Sequence, residues 1–138
     1  MNAGPGVLDT SAVILFDRLD IEELPEEPMI TAVTLAELSV GPLVADYPAE
    51  QAARQARLQV VESSFDPLPF DAGSARAYGR VAAALRRSGR RPQARAFGAL
   101  VAATAVANGL AVYTCNPRDF VGVDELVVVP VTHPEDVR

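Results

Sequence analysis

Four oxygen-bearing side chains follow apolar runs in this 138-residue sequence. Asp9 follows Gly6-Val7-Leu8, Glu37 comes soon after the run that opens at Met29, and Asn116 and Asp119 follow Ala111 to Thr114. In an open parallel sheet ligands bind beyond the carboxyl ends of the strands, so residues just past such runs share one edge. Carboxylate and amide oxygens gathered there suit a hard cation, Mg²⁺ or Mn²⁺. A cation so held can activate water and neutralise charge on a phosphate, which is the chemistry of phosphodiester hydrolysis.

Each residue also has a purely structural role open to it. Asp9 can cap a helix starting near Ser11, where Asp is a favoured N-cap and sits well against the positive helix end. Glu37 stands three residues after Thr34, the spacing of a capping box. Asn116 and Asp119 flank Pro117 in a composition that commonly does no more than turn the chain. Thr10 and Ser11 can orient a phosphate or a water through their hydroxyls, or simply begin a helix.

Charge narrows the classes of function. The net charge is −6, which argues against a protein that coats nucleic acid without specificity. All 12 basic residues are arginine, and five of them, Arg86, Arg87, Arg90, Arg91 and Arg95, lie within ten residues. This local patch can bind phosphate, because guanidinium does so bidentately; a solvated helix face is the plainer alternative. With no lysine, neither a Walker A loop nor the phosphoryl-transfer sites of receiver domains and aspartate-nucleophile phosphatases can be built. Cys115 is the one cysteine and His133 the one histidine, so neither a disulfide, a Cys/His catalytic pair nor a zinc site is expected.

The elements that must position these residues alternate. Gly6 to Leu8 reads as a strand feeding a helix through Arg18, and Met29 to Val33 as a strand feeding the helix of Thr34 to Glu37. Pro48 can open a helix over Ala49 to Glu62, with Ala52, Ala53, Ala56, Val60 and Val61 as its apolar side. Phe65 to Phe70 suits a short edge strand. Ala72 to Ser88 is predicted as a helix with Ala75, Tyr78, Ala82 and Leu85 inward and Arg76, Arg80 and Arg87 outward. After a break at Gly89 and Pro92, Gln93 to Asn108 forms another helix, ended by Gly109 in a left-handed cap. Ala111 to Thr114 and Leu126 to Val131 read as strands buried on both faces.

Alternating strands and helices argue for an α/β domain with a mostly parallel sheet, folded as one unit over residues 1–138. The N-terminal apolar run is too short for a secretory signal, and the apolar stretch Ala94 to Ala107 is too short to span a bilayer. A cytoplasmic location without membrane attachment is the expectation.

The sequence pieces Leu-Asp9-Thr-Ser-Ala, Thr-Leu-Ala-Glu37-Leu, Ala-Arg-Ala-Phe-Gly98-Ala-Leu-Val-Ala-Ala-Thr-Ala and Tyr-Thr-Cys-Asn116-Pro-Arg-Asp119-Phe, in that order, resemble a VapC-type PIN domain over nearly the whole chain. The resemblance implies an α/β/α sandwich and an acidic Mg²⁺ (or Mn²⁺) site, with Asp9, Glu37 and Asp119 as catalytic ligands and Asn116 as a neutral auxiliary. It also implies cleavage of single-stranded RNA, neutralisation by a cognate VapB-type antitoxin, and a homodimer. One position departs from the family pattern. Gly98 occupies the place of the third metal-binding Asp, and helix propensity gives no reason for it, since glycine inside a helix costs about 1 kcal/mol relative to alanine. Either the site is degenerate or an active ribonuclease has been disarmed by one substitution. A PIN fold without its third acid can also serve as a binding protein that holds antitoxin or RNA without cutting.

Overall fold

The computed structural model describes residues 1–91 and 95–136. Four parallel strands form one sheet in the order β2-β1-β3-β4, with β1 at Asn2–Leu8, β2 at Pro25–Met29, β3 at Val112–Thr114 and β4 at Val128–Pro130. The register pairs Val7 with both Met29 and Val112, and Tyr113 with both Leu8 and Val129. Among the described residues five α-helices flank the sheet: α1 at Thr10–Ile14, α2 at Ala32–Val40, α3 at Pro48–Ser64, α4 at Ala72–Arg87 and α5 at Ala96–Ala107.

Successive side chains on a strand point to opposite faces, and this alternation divides the core in two. Val7 and Val112 join Val81, Leu85, Ala102 and Phe120 on the face covered by α4 and α5. Leu8 and Tyr113 join Ala12, Val13, Leu58 and Val61 on the face covered by α1 and α3. The result is the expected α/β/α sandwich. Helix α5 is buried almost continuously from Val101 to Ala105, and its alanines let α4 lie close against it. Gly109, at φ +66°, ends α5: Leu110 N–H returns to the Ala105 carbonyl at 2.9 Å, and Gly109 N–H to Val106 at 3.1 Å. Only glycine takes this left-handed position without steric cost.

Several elements differ from the sequence expectation. Strand β2 precedes the predicted Met29 to Val33 and contains both Pro25 and Pro28, which an edge strand tolerates because one side of it needs no donors. Helix α2 begins earlier than Thr34: Thr31 is its N-cap and accepts from Thr34 N–H at 3.2 Å, so the predicted Thr34–Glu37 capping box does not form. Leu68 makes one parallel bridge with Thr31 in place of a full edge strand. The buried stripe of α4 is Ser74, Ala77, Val81, Ala84 and Leu85: Leu85 is inward as predicted, while Ser74, Ala77 and Val81 take the places expected of Ala75, Tyr78 and Ala82. On α3, Ala52, Ala53, Ala56 and Val60 are exposed, because this outer helix packs on a narrow stripe at Leu58 and Val61. Strand β4 is the other edge and only half-buried. Helix α5 starts at Ala96, and the predicted extension through Gln93 and Ala94 lies outside the described residues.

Gly6 is required by close approach. A methyl group on it would overlap the Tyr113 ring, with Cδ1 only 2.8 Å away and Pro25 Cβ at 3.1 Å. Tyr113 is itself buried and cannot easily swing aside. Gly6→Ala is therefore expected to lose about 1–3 kcal/mol, as overpacked cores do. In urea unfolding the midpoint should fall with an unchanged slope; an unchanged midpoint would show that the ring yields freely.

Candidate active site

The carboxyl ends of β1 and β3 meet at Asp9. Its N–H continues the β1–β3 ladder by donating to the Tyr113 carbonyl at 3.1 Å, and its extended backbone turns the chain into α1. Oδ1 accepts from Ala12 N–H at 2.9 Å and from the Ser11 hydroxyl at 2.8 Å. Oδ2 accepts from the Thr114 hydroxyl at 2.5 Å. The capping role is real, and it leaves the carboxylate fixed at the strand ends. Burial pushes the Asp9 carboxyl above its ordinary value, against the hydrogen bonds from Thr114, Ala12 and Ser11, and repulsion from Asp119 adds to the rise.

Glu37 lies midway along α2, one helical turn after Thr34. Thr10 donates to Glu37 Oε1 at 2.6 Å and lies 2.9 Å from the Thr34 hydroxyl, which can supply its proton in turn. Thr10 and Ser11 thus spend their protons on the two carboxylates. They act as positioning groups, and the charge they steady is what any ligand would meet.

Asp119 belongs to the 3-10 turn Pro117–Phe120 that follows β3, and the Arg95 guanidinium donates to it. Asn116 precedes this turn with its side chain exposed; its backbone N–H donates to Thr114 Oγ1 at 2.9 Å. Thr114 therefore ties Asp9 to the Asn116–Asp119 segment, a role the sequence reading missed. Its only trace in the sequence is a hydroxyl at the last position of an apolar strand.

Glu37, Arg95, Gly98 and Asp119 line one cleft of about 270 Å³, together with Phe97 and Phe120. Asp9 does not line this cleft, but it is near enough to feel the charge of Asp119. Gly98, in the first turn of α5, opens on the cleft, and a Cβ built there meets nothing within 4 Å. Of the arginine patch, Arg95 alone reaches this cleft; Arg86 and Arg87 are exposed at the end of α4, and Arg90 and Arg91 follow it.

The donors are hard oxygens and fit Mg²⁺ or Mn²⁺ in kind. They fall short in number: among the described residues no three His, Cys, Asp or Glu side chains gather closely enough to hold a metal ion, and Asp119 already has an internal cation in Arg95.

Residues 6–126 match the family model described as PIN domain. The chain belongs to the PIN-domain family and to its VapC-type members. It is 37% identical over 129 residues to Ribonuclease VapC5 of Mycobacterium tuberculosis, covering 91% of this chain and 93% of that protein. Ribonuclease VapC4 of the same organism is 31% identical over 134 residues, covering 95% of this chain and all of the relative. The crystal structure of VapBC-5 from Mycobacterium tuberculosis, a member of the VapBC toxin-antitoxin family, matches with a TM-score of 0.81 at 36% identity, over 92% of this chain and 98% of that one.

The environment of Asp9 makes its charge testable. Because the folded-state carboxyl titrates above its unfolded value, the ionised form costs stability at neutral pH, and the cost fades as pH falls through the folded-state value and is gone below about 4. Asn keeps the cap without the charge. In chelator at pH 7, Asp9→Asn is expected to melt at or above the parent's temperature, with any advantage shrinking toward pH 4. Asp9→Ala, which loses the cap, should fall about 1 kcal/mol below it. Calorimetry with Mn²⁺ separates the roles: a ligand carboxylate loses binding in Asp9→Asn, whereas a cap alone leaves it intact.

Proposed function

We propose that the chain is a ribonuclease toxin of VapC type, acting in the cytoplasm on single-stranded RNA and impaired by Gly98. The observation that carries this reading is the cleft in which Glu37 and Asp119 face an open position at Gly98, within a chain 37% identical to a ribonuclease. The family resemblance gives Asp9, Glu37 and Asp119 to Mg²⁺ or Mn²⁺, with Asn116 as a neutral oxygen donor, a set that falls short in this chain until an acid stands at position 98. The ion, when bound, supplies an activated water and neutralises charge gathering on the phosphate oxygens.

The chain's own residues do the positioning. Ser11 and Thr114 fix Asp9, Thr10 fixes Glu37, and Arg95 steadies Asp119 while offering a guanidinium at the cleft wall. Arg86, Arg87, Arg90 and Arg91 extend a basic approach that offsets the repulsion between RNA and an acidic protein. The likeness to a chain solved as VapBC-5 supports a VapB-type antitoxin as partner, and the homodimer is what the family resemblance implies.

The shortage of gathered ligands favours a second reading, in which the fold binds antitoxin or RNA without cutting. One substitution separates the two. Gly98→Asp adds a carboxylate where the backbone leaves room, and it should restore Mg²⁺-dependent cleavage of single-stranded RNA and growth inhibition in cells; the parent chain should cut feebly or not at all. A folded, metal-binding Gly98→Asp protein that cleaves no RNA tested, including total RNA from its host, would establish the binding reading. Arg95→Gln, by releasing Asp119, is expected to tighten Mn²⁺ binding severalfold in calorimetry; unchanged affinity would show that the ion pair does not compete.

A further inference from the structure

Glu37 belongs to two clefts at once. Beyond the one it shares with Gly98 and Asp119, it walls a second of about 290 Å³ with Thr10, Ile14, Leu38, Arg54 and Arg57. The second cleft is different in character: besides Glu37, its charges are two guanidinium groups from successive turns of α3, and Ile14 and Leu38 give it apolar wall. Arg54 is committed, donating to the Gly41 carbonyl at 2.9 Å and pairing with Glu50 one turn earlier. Thr10 gives its proton to Glu37. Arg57 is exposed and has no ion-pair or hydrogen-bond partner among the described residues.

We infer that this second cleft is the subsite for the nucleotide adjoining the scissile phosphate, with Arg57 holding that nucleotide's phosphate and Ile14 and Leu38 taking its sugar and base. The inference rests on the nuclease reading and extends it. An RNA strand cut beside Glu37 must leave the site on both sides, and the acidic cleft repels the phosphates it does not cleave. A cation at the exit relieves this, and arginine grips phosphate through two parallel hydrogen bonds. Single strands are held by such a combination of guanidinium and apolar contact. The arginine patch cannot fill this place, because Arg86, Arg87, Arg90 and Arg91 line neither cleft.

Arg57 also borders an apolar groove with Ile14, Phe16, Ala53 and Val60, where a peptide partner could lie instead. The test distinguishes these ligands. Binding of a fluorescent single-stranded ten-nucleotide RNA in Mg²⁺ would be measured against salt concentration for the parent chain, Arg57→Gln, Arg57→Lys and the double variant Arg86→Gln/Arg87→Gln. Arg57→Gln should weaken binding about tenfold, the worth of one charge-assisted hydrogen bond, and flatten the log–log salt slope by about 0.7. Arg57→Lys should keep the slope while recovering only part of the affinity. Melting temperatures should not change. RNA affinity untouched by Arg57→Gln, or a loss confined to a VapB-type C-terminal peptide, overturns this subsite and leaves the nuclease reading standing. A parent chain that binds no RNA at all sinks both.

Discussion

The hydrogen bond from Thr114 to Asp9 is the joint on which this site turns. It closes the gap between the ends of β1 and β3, and through Thr114 Oγ1 it also fixes the start of the segment that carries Asp119. A carboxylate buried this deeply is costly unless its oxygens find partners. Asp9 finds them in Ala12, Ser11 and Thr114, so a charged group becomes tolerable at the meeting point of two strands and a helix. The sheet makes this possible: β1 runs between β2 and β3, and its end is reached by α1 and β3 together.

The fold class was legible from alternation alone, because apolar runs separated by amphipathic stretches leave few architectures other than a covered parallel sheet. Element boundaries were less so. Pro25 and Pro28 read as a barrier ahead of a strand, yet on an edge strand they are ordinary residues, and edge position follows from topology. The apolar residues of α3 carry a helical rhythm, but the sequence does not reveal that α3 is an outer layer whose alanines and Val60 face away from the sheet. Glu37 was placed by the spacing of a capping box, whereas Thr31 begins the helix one turn earlier and Glu37 is held by Thr10. Asp9, as a cap just past a strand, was the most readable site residue, and Thr114 the least, since its partner lies 105 residues away.

The charge distribution explains how an acidic protein can present itself to a polyanion. Most acidic side chains are exposed, but Asp9, Glu37 and Asp119 are drawn in, where hydroxyls and an arginine hold them, and guanidinium groups stand at the borders. Arg95 has a double character in this arrangement. It neutralises Asp119 in the structure, and it lines the same cleft as Gly98, where the proposed reading would place a further acid.

The distance in sequence between Thr114 and Asp9 has a bearing on the birth of the protein. Chains are made from the N-terminus, and local helices form long before contacts that close a loop of this size. Asp9 and Glu37 therefore exist early on the ribosome, but the groups that complete their cleft arrive with the final quarter of the chain. On the proposed reading, a growing polypeptide carries no complete cleft until the segment from Thr114 to Asp119 has been made.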